Sequence, residues 1–589
     1  MPAIACEAFR HIRSRQHCGA DDLLTAGLGL EGLRACEPPV FADAEAPTGT
    51  ELRRRAIWSN WRGIADLMPE GGYGTLYGST ADIPGREFST FAHLPGASQP
   101  HRVLAQIPDA FDQAKRCLVV TASSGSRGVY GAIAVAGAWG LPKGFAVAYT
   151  DKGTGSDYFD LDSRSGVRID GTRGDAEEAL AFAPTGSEGM SGIAFKHAHS
   201  QDNPEADWGR HVRQAAQFAL RSLDEAFPDA TPFTFANTRV IAVGISNGGG
   251  AVLRAAELDD GQSGEPWLDA VVAGEPSIYA QAEGARAIYD YATEAALLMP
   301  CALLHMHDLP QPPMTAQIAP MWTQRCASLR SIGMVEGEDA SAQAHSAYDT
   351  LLKNGWKYAA LRGGALSTGF DLWRAVAVTY ASAYGRYGIG EHPAGYAFAT
   401  QSTDGTRRAT TAAERAAWWS DASGIPPGAG VNIVDPHSST HPSDSAFAGL
   451  LRLRELWAGA SVAGQRVRNG IEATRAGLPR NDLPVLVVHG IDDGLVPMAF
   501  SSAPYVACAK AAGREVRFWQ IRNAQHFDAF LAWPEYRARY VPLLPYIYAA
   551  LDRIAAHLDH HTALPADAIV DAKPCGIGFA LAADNLAVP

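Results

Sequence analysis

Gly244-Ile245-Ser246-Asn247-Gly248 sets one hydroxyl between two glycines. It follows Thr238-Arg239-Val240-Ile241-Ala242-Val243, which reads as a buried strand, and precedes Gly249 to Glu257, which reads as the start of a helix. A serine on a sharp turn between strand and helix is lifted to the edge of a sheet, where it can attack a carbonyl carbon. The flanking glycines suit such a turn, because a side chain there crowds the strand or the helix start. The helix offers free backbone N–H groups where negative charge develops.

A serine hydroxyl is a poor nucleophile near neutral pH without a base. Downstream, His489-Gly490-Ile491-Asp492-Asp493-Gly494-Leu495-Val496-Pro497 follows a buried run at 483–490. This spacing puts Asp493 on the loop after the strand as the expected acid, with Asp492 as the alternative. A further strand at 515–519 leads to Gln525-His526-Phe527-Asp528, so His526 is the expected base. Asp493 is then expected to hold the imidazole, and His526 to take and return the serine proton. The oxyanion needs two N–H groups. Asn247 is expected to give one, and Ser124 or Gly125 the other, from Ser123-Ser124-Gly125-Ser126-Arg127-Gly128 after the strand at 116–122. Arg127 is open between binding an acidic substrate end and forming a structural salt bridge. Ser367 sits in Ala365-Leu366-Ser367-Thr368-Gly369, which lacks the first glycine and a preceding strand. His305 and His307 have no third spaced ligand, so no metal is expected there. No organic cofactor is called for.

These residues must be carried by a sheet. Buried runs at 116–122, 144–150, 238–243, 268–274, 483–490 and 515–519 lack strict alternation, as strands covered on both faces do. Apolar residues Val212, Ala216, Leu220 and Leu223 mark one face of a helix over 204–227. The expected fold class is an α/β-hydrolase fold, with a mostly parallel sheet and a large, mainly helical insert before the acid-bearing strand. Residues 1–25 read as an irregular segment and 26–277 as the first part of the catalytic body. Residues 278–475 read as an inserted cap of roughly 200 residues, the size of a small domain. Residues 476–589 complete the body. Between 50 and 100 only short aromatic pieces and glycine turns are read.

The chain has 589 residues, 47% of them hydrophobic, enough for a large core and more than one simple domain. Its net charge of −14, with no basic block, argues against a nucleic-acid or anionic-membrane partner. No apolar run approaches the roughly 20 residues of a membrane span. The eight cysteines show no zinc-ligand spacing. Cys301 and Cys326 are open between a disulfide and two unpaired apolar side chains.

Several stretches resemble the D-(−)-3-hydroxybutyrate oligomer hydrolase family. They are 21–29 (Asp-Asp-Leu-Leu-Thr-Ala-Gly-Leu-Gly), 123–131, 144–153 (ending Thr150-Asp151-Lys152-Gly153) and 243–255 around the elbow. The long insert and the 489–497 and 525–528 stretches are similar too. The resemblance implies a serine esterase that cuts short 3-hydroxybutyrate oligomers to monomers, after a polyhydroxybutyrate depolymerase has acted. It places the family's nucleophile on Ser246. It implies no cofactor, no nucleic acid, no stable membrane insertion and no obligate protein partner. The insert is the expected cleft wall, admitting a thin flexible chain. The alternatives are another carboxylesterase or a small-peptide serine hydrolase of the same fold, or a catalytically inactive binding protein. Secretion or periplasmic residence is what the resemblance implies, yet residues 1–20 carry no apolar signal core, which leaves the cytoplasm open.

Overall fold

The computed structural model describes residues 8–259, 266–310, 315–421, 424–441 and 443–589. Ten strands form the central sheet: β1 (Phe9–His17), β2 (Gly85–Ala92), β3 (His101–Pro108), β4 (Cys117–Ala122), β5 (Ala146–Thr150), β6 (Arg239–Ile245), β7 (Ala270–Gly274), β8 (Val485–Gly490), β9 (Val516–Ile521) and β10 (Ala568–Val570). Their order is β1-β2-β3-β5-β4-β6-β7-β8-β9-β10. From β5 to β10 every neighbour is parallel, while β1, β2 and β3 pair antiparallel.

The inner parallel strands β4, β6, β7 and β8 are almost wholly buried and mostly apolar because both faces are covered. Val240, Ala242, Val271 and Ala273 share a core with α2 (Pro204–Ala226) and α3 (Asn247–Glu257). Ile241, Val243, Val272 and Val488 face the other way, towards α1 (Gly49–Arg62) and α6 (Leu544–His560). The reading of 50–100 as short pieces missed α1, whose start is fixed by a capping box between Thr48 and Glu51.

The amino-terminal segment expected to be irregular is corrected: residues 9–17 form β1, at the edge of the sheet. Its side chains are mostly exposed and include three arginines, so no apolar pattern announces it. Such charge is common on sheet edges, where it discourages pairing with other chains. Residues 1–7 of that expected segment lie outside the described residues. The family-like stretch at 21–29 is a turn built on Asp22. Its carboxylate accepts the amides of Leu24, Thr25 and Gly27 and the Thr25 hydroxyl.

The insert has its own apolar core, formed by α4 (Ile288–Leu303), α5 (Leu372–Gly385) and the helices Phe447–Ala458 and Val462–Glu472. The chain enters and leaves it side by side, since Tyr279 and Ala280 pair with Arg475 and Ala476 in a short parallel ladder. A second segment, assigned by sequence to the body, joins this cap. Strands Tyr158–Asp160, Ser165–Val167, Arg173–Asp175 and Ile193–Phe195 form a small sheet. Tyr158, Ile193 and Phe195 lie in the same core as α4 and α5. Cys301 and Cys326 are joined by a disulfide, tying α4 to the helix Thr315–Ser331. No helix among the described residues is long and apolar enough to cross a membrane.

Candidate active site

Ser246 lies between the end of β6 and the first turn of α3, with φ 55° and ψ −123°. A non-glycine residue at positive φ costs on the order of 1–3 kcal/mol and is held only when its surroundings over-determine it. Here they do. The Ser246 amide donates to Gly274 O, and its carbonyl accepts from the amides of Gly250 and Ser277. A Cβ on Gly244 would lie 2.3 Å from Gly248 O, and one on Gly248 would lie 2.4 Å from Ala122 O. Only glycine lets the turn close on itself and on the end of β4.

Ser246 Oγ donates to His526 Nε2 at 3.0 Å, and His526 Nδ1 donates to Asp493 Oδ2 at 2.8 Å. The Ser246, His526 and Asp493 side chains are buried. Asp493 sits after β8 and His526 after β9, while Ser246 follows β6, one strand further along across β7, so the same end of the sheet brings all three together. Asp493 Oδ1 also accepts the amides of Leu495 and Val496, at 2.9 and 2.7 Å. Burial works to raise the Asp493 carboxyl, but the opposed His526, with hydrogen bonds from His489 and His526, outweighs it and holds the group below the usual range. It stays a carboxylate, able to fix the imidazole tautomer that accepts a serine proton.

Asp492, the alternative acid, points elsewhere. It pairs with Arg362 of the cap at 2.7 Å and accepts the Asn523 amide. His489, to which the sequence reading gave no role, supports the acid instead. Its Nε2 lies 3.1 Å from Asp493 Oδ2 and 2.9 Å from Val496 O, and its Nδ1 lies 2.6 Å from Ser502 Oγ. With the hydroxyl donating to Nδ1, Nε2–H is left to face the carboxylate.

The expected oxyanion loop abuts the elbow where Gly248 meets Ala122 O and Ser123 O. Gly125 adopts φ 57° there. Among the described residues the amides of Ser124, Gly125 and Asn247 donate to no protein acceptor. Two buried groups that the sequence reading did not single out fasten this loop. Lys152 Nζ donates to Ser123 Oγ at 3.0 Å and to Gly125 O. His197 bridges Ser126 Oγ, at 2.7 Å, and Glu205, at 2.6 Å. A lysine after a strand and a histidine in a short helix carry no spacing signal that would have revealed either.

Burial pushes the Lys152 ammonium down to about 7, against the opposing pull of Glu205 and Asp151. Its folded value lies below the unfolded one, so between about 7 and its ordinary value the unfolded chain holds more protons. Stability from this group therefore rises with pH across that window. Lys152→Met is expected to remove up to about 2 kcal/mol of the gain in unfolding free energy between pH 7 and pH 9. Urea titrations of both proteins at the two pH values check this; parallel changes in the two would count against it.

Arg127 corrects one of its two open readings. Its guanidinium donates to Gly63 O at the end of α1, at 3.1 Å, and among the described residues it forms no ion pair. It shares no hydrogen bond with Ser246, Asn247 or His526. Burial pushes it down to about 10. Ser367 is buried in the short helix Ala365–Gly369. His305 lies against His345 in the cap, with ring nitrogens 3.3 Å apart. The cap closes over the elbow: Asn247 Nδ2 donates to Tyr380 Oη of α5 at 2.8 Å, and a Cβ on Gly363 would lie 1.9 Å from Asp492 O.

A doubly covered parallel sheet, a serine elbow after one strand, then an acid and a histidine after two later strands, define a serine hydrolase of the α/β-hydrolase fold. The chain belongs to the 3HB-oligomer hydrolase family, whose model matches residues 6–588. It is 37% identical to a D-(−)-3-hydroxybutyrate oligomer hydrolase from Paracidovorax citrulli, over 96% of this chain and 89% of that one. A protein of the same description from Paraburkholderia xenovorans is also 37% identical, over 94% and 85%. Among solved structures, feruloyl esterase B from Aspergillus oryzae is a distant likeness, at 12% identity over 82% of each chain with TM-score 0.37; the fold assignment rests on the strand order itself.

Proposed function

We propose that this chain hydrolyses short 3-hydroxybutyrate oligomers to the monomer, with Ser246 as nucleophile, His526 as general base and acid, and Asp493 as the acid that orients it. The observation that carries this reading is the continuous hydrogen-bonded chain from Ser246 Oγ through His526 to Asp493, in a member of this family. Ser246 Oγ attacks the ester carbonyl while Nε2 takes its proton. The amides of Asn247 and of Ser124 or Gly125 receive the oxyanion. The imidazolium protonates the leaving 3-hydroxyl, and water activated by the same nitrogen releases the acyl group.

An oligoester of this kind carries a methyl group on each repeat, and an aromatic run beside His526 suits it. Phe527 contacts Phe530 at 4.5 Å, and Phe530 contacts Trp533 at 5.4 Å and Phe370 of the cap at 6.2 Å, measured between ring centroids. Phe370 is exposed. The intact protein is expected to release 3-hydroxybutyrate from its linear dimer and trimer and to leave an aminoacyl amide uncut, since an alkoxide leaves with less help than an amine. Preferential cleavage of the amide in a side-by-side assay would replace this reading with a peptidase. An oxidising compartment, outside the cytoplasm, is part of the proposal, and the Cys301–Cys326 bridge supports it. Recovery of the active protein solely from the cytosolic fraction of its host would remove that part.

A further inference from the structure

Glu275 follows the last residue of β7 and has no part in the chain of hydrogen bonds just described. Its backbone is in the left-handed region, with φ 34°. The amide donates to Val488 O at 2.7 Å, which holds this strained conformation against β8. The result is that the side chain turns into the site. Glu275 Oε1 lies 3.6 Å from His526 Nδ1, the nitrogen that Asp493 Oδ2 holds at 2.8 Å. Facing atoms of Glu275, Asp493 and His526 lie within 4.8 Å of one another. Glu275 is 2% exposed, and its Oε2 is buried with no hydrogen-bond partner. An unpaired carboxyl in such a place is costly, and functional sites are where such costs persist.

We propose that Glu275 is a second acid for the same imidazole, a positioning residue that takes over His526 Nδ1 when Asp493 does not hold it. The proposal deepens the serine-hydrolase reading and rests on it. The sheet makes the duplication possible, because β7 and β8 are adjacent parallel strands whose ends open on the same side of His526. Closing the gap from 3.6 Å to 2.8 Å is a side-chain movement, with the backbone already in place.

The charges around Glu275 set when it acts. Burial raises its carboxyl well above the usual range, and the like charges of Asp493 and Asp528 add to this. It is therefore neutral beside an ionised Asp493, and the two acids do not compete for the imidazole. Asp528 is itself raised to about 7 by burial and accepts the amides of Leu543 and Leu544. From α6, packed against β7, Tyr546 and Tyr548 donate their hydroxyls to Leu586 O and Ala134 O. His489 is committed to Asp493 and Ser502. Removing Asp493 takes away one of the two like charges and leaves burial and Asp528. Glu275 then ionises at lower pH than before, and its carboxylate can accept the proton of Nδ1.

The rate at which a fluorophosphonate labels Ser246 reads activation of the serine without reference to any natural substrate. It is measured against pH in the intact protein, Glu275→Gln, Asp493→Ala and the double variant. Glu275→Gln is expected to cost about threefold when Asp493 is present. Asp493→Ala is expected to lose about a hundredfold and to have a residual rate that rises with pH as Glu275 ionises. The double variant is expected to fall at least thirtyfold further, towards the loss of about 10⁴ seen when a triad lacks its acid, and to lose that rise. Equal costs of Glu275→Gln in the two backgrounds overturn the proposal, whatever the oligomer assay gives. Asp493→Asn, which keeps an acceptor for the Leu495 and Val496 amides, repeats the comparison if Asp493→Ala does not fold.

Discussion

Ser246→Ala is expected to lower release of 3-hydroxybutyrate from its dimer by on the order of 10⁶ in kcat, with the fold intact. The size follows from how the serine and histidine act as one unit. Without Oγ the imidazole has no hydroxyl to deprotonate, and no acyl intermediate forms. What remains is binding and the oxyanion amides, which act on an unactivated water. Among the described residues Oγ makes one hydrogen bond, to His526, while the strained backbone is held by main-chain partners. Far-UV circular dichroism and the urea midpoint should therefore barely change. Retention of more than about 1% of the activity in a protein free of contaminating esterase would remove Ser246 from the mechanism.

Gly244→Ala is expected to be the most damaging small change to the site's framework. The added carbon would sit 2.3 Å from Gly248 O and 2.4 Å from Gly248 C. Both are backbone atoms at the start of α3, so neither can rotate away. Relief requires the strand and the helix to part, and that displaces Ser246. A loss of about 3 kcal/mol in unfolding free energy is expected, at the upper end of overpacking costs. A fall of at least about a hundredfold in fluorophosphonate labelling should accompany it, since misplacement by about 1 Å is enough for that. Normal labelling together with normal stability would mean that the turn is not as tightly closed as these distances require.

Much of this arrangement was legible because burial writes itself into composition. Strands such as Val485–Gly490 and Ala270–Gly274 are covered on both faces, so they read as apolar runs. Ser246, Asp493 and His526 each stand just beyond such a run, and chain order supplied their roles. The edge strand Phe9–His17 was not legible, because only its two ends are buried and its side chains are largely polar. The helix Gly49–Arg62 does carry a readable signal, the Thr48 and Glu51 capping pair, but one short polar motif among glycine turns is easily outweighed by its surroundings. Glu275 could not have been found: one acid before a proline has no pattern, and its relation to His526 exists only once two strands lie side by side. The same holds for Lys152, whose contact with Gly125 is a product of packing.

The two ends of the insert run as neighbours at Tyr279–Ala280 and Arg475–Ala476. Taken alone, that geometry would make the cap a cassette, removable by two cuts and replaceable from a relative. The shared core forbids it. Tyr158, Ile193 and Phe195 come from a segment more than eighty residues before the first cut and are packed among cap side chains. A graft of 278–475 alone would leave these three side chains on foreign surface and strip Asn247 of its Tyr380 partner. Exchange of caps between members of this family must therefore carry 158–195 along with the insert, so that the two stretches travel as a single heritable piece.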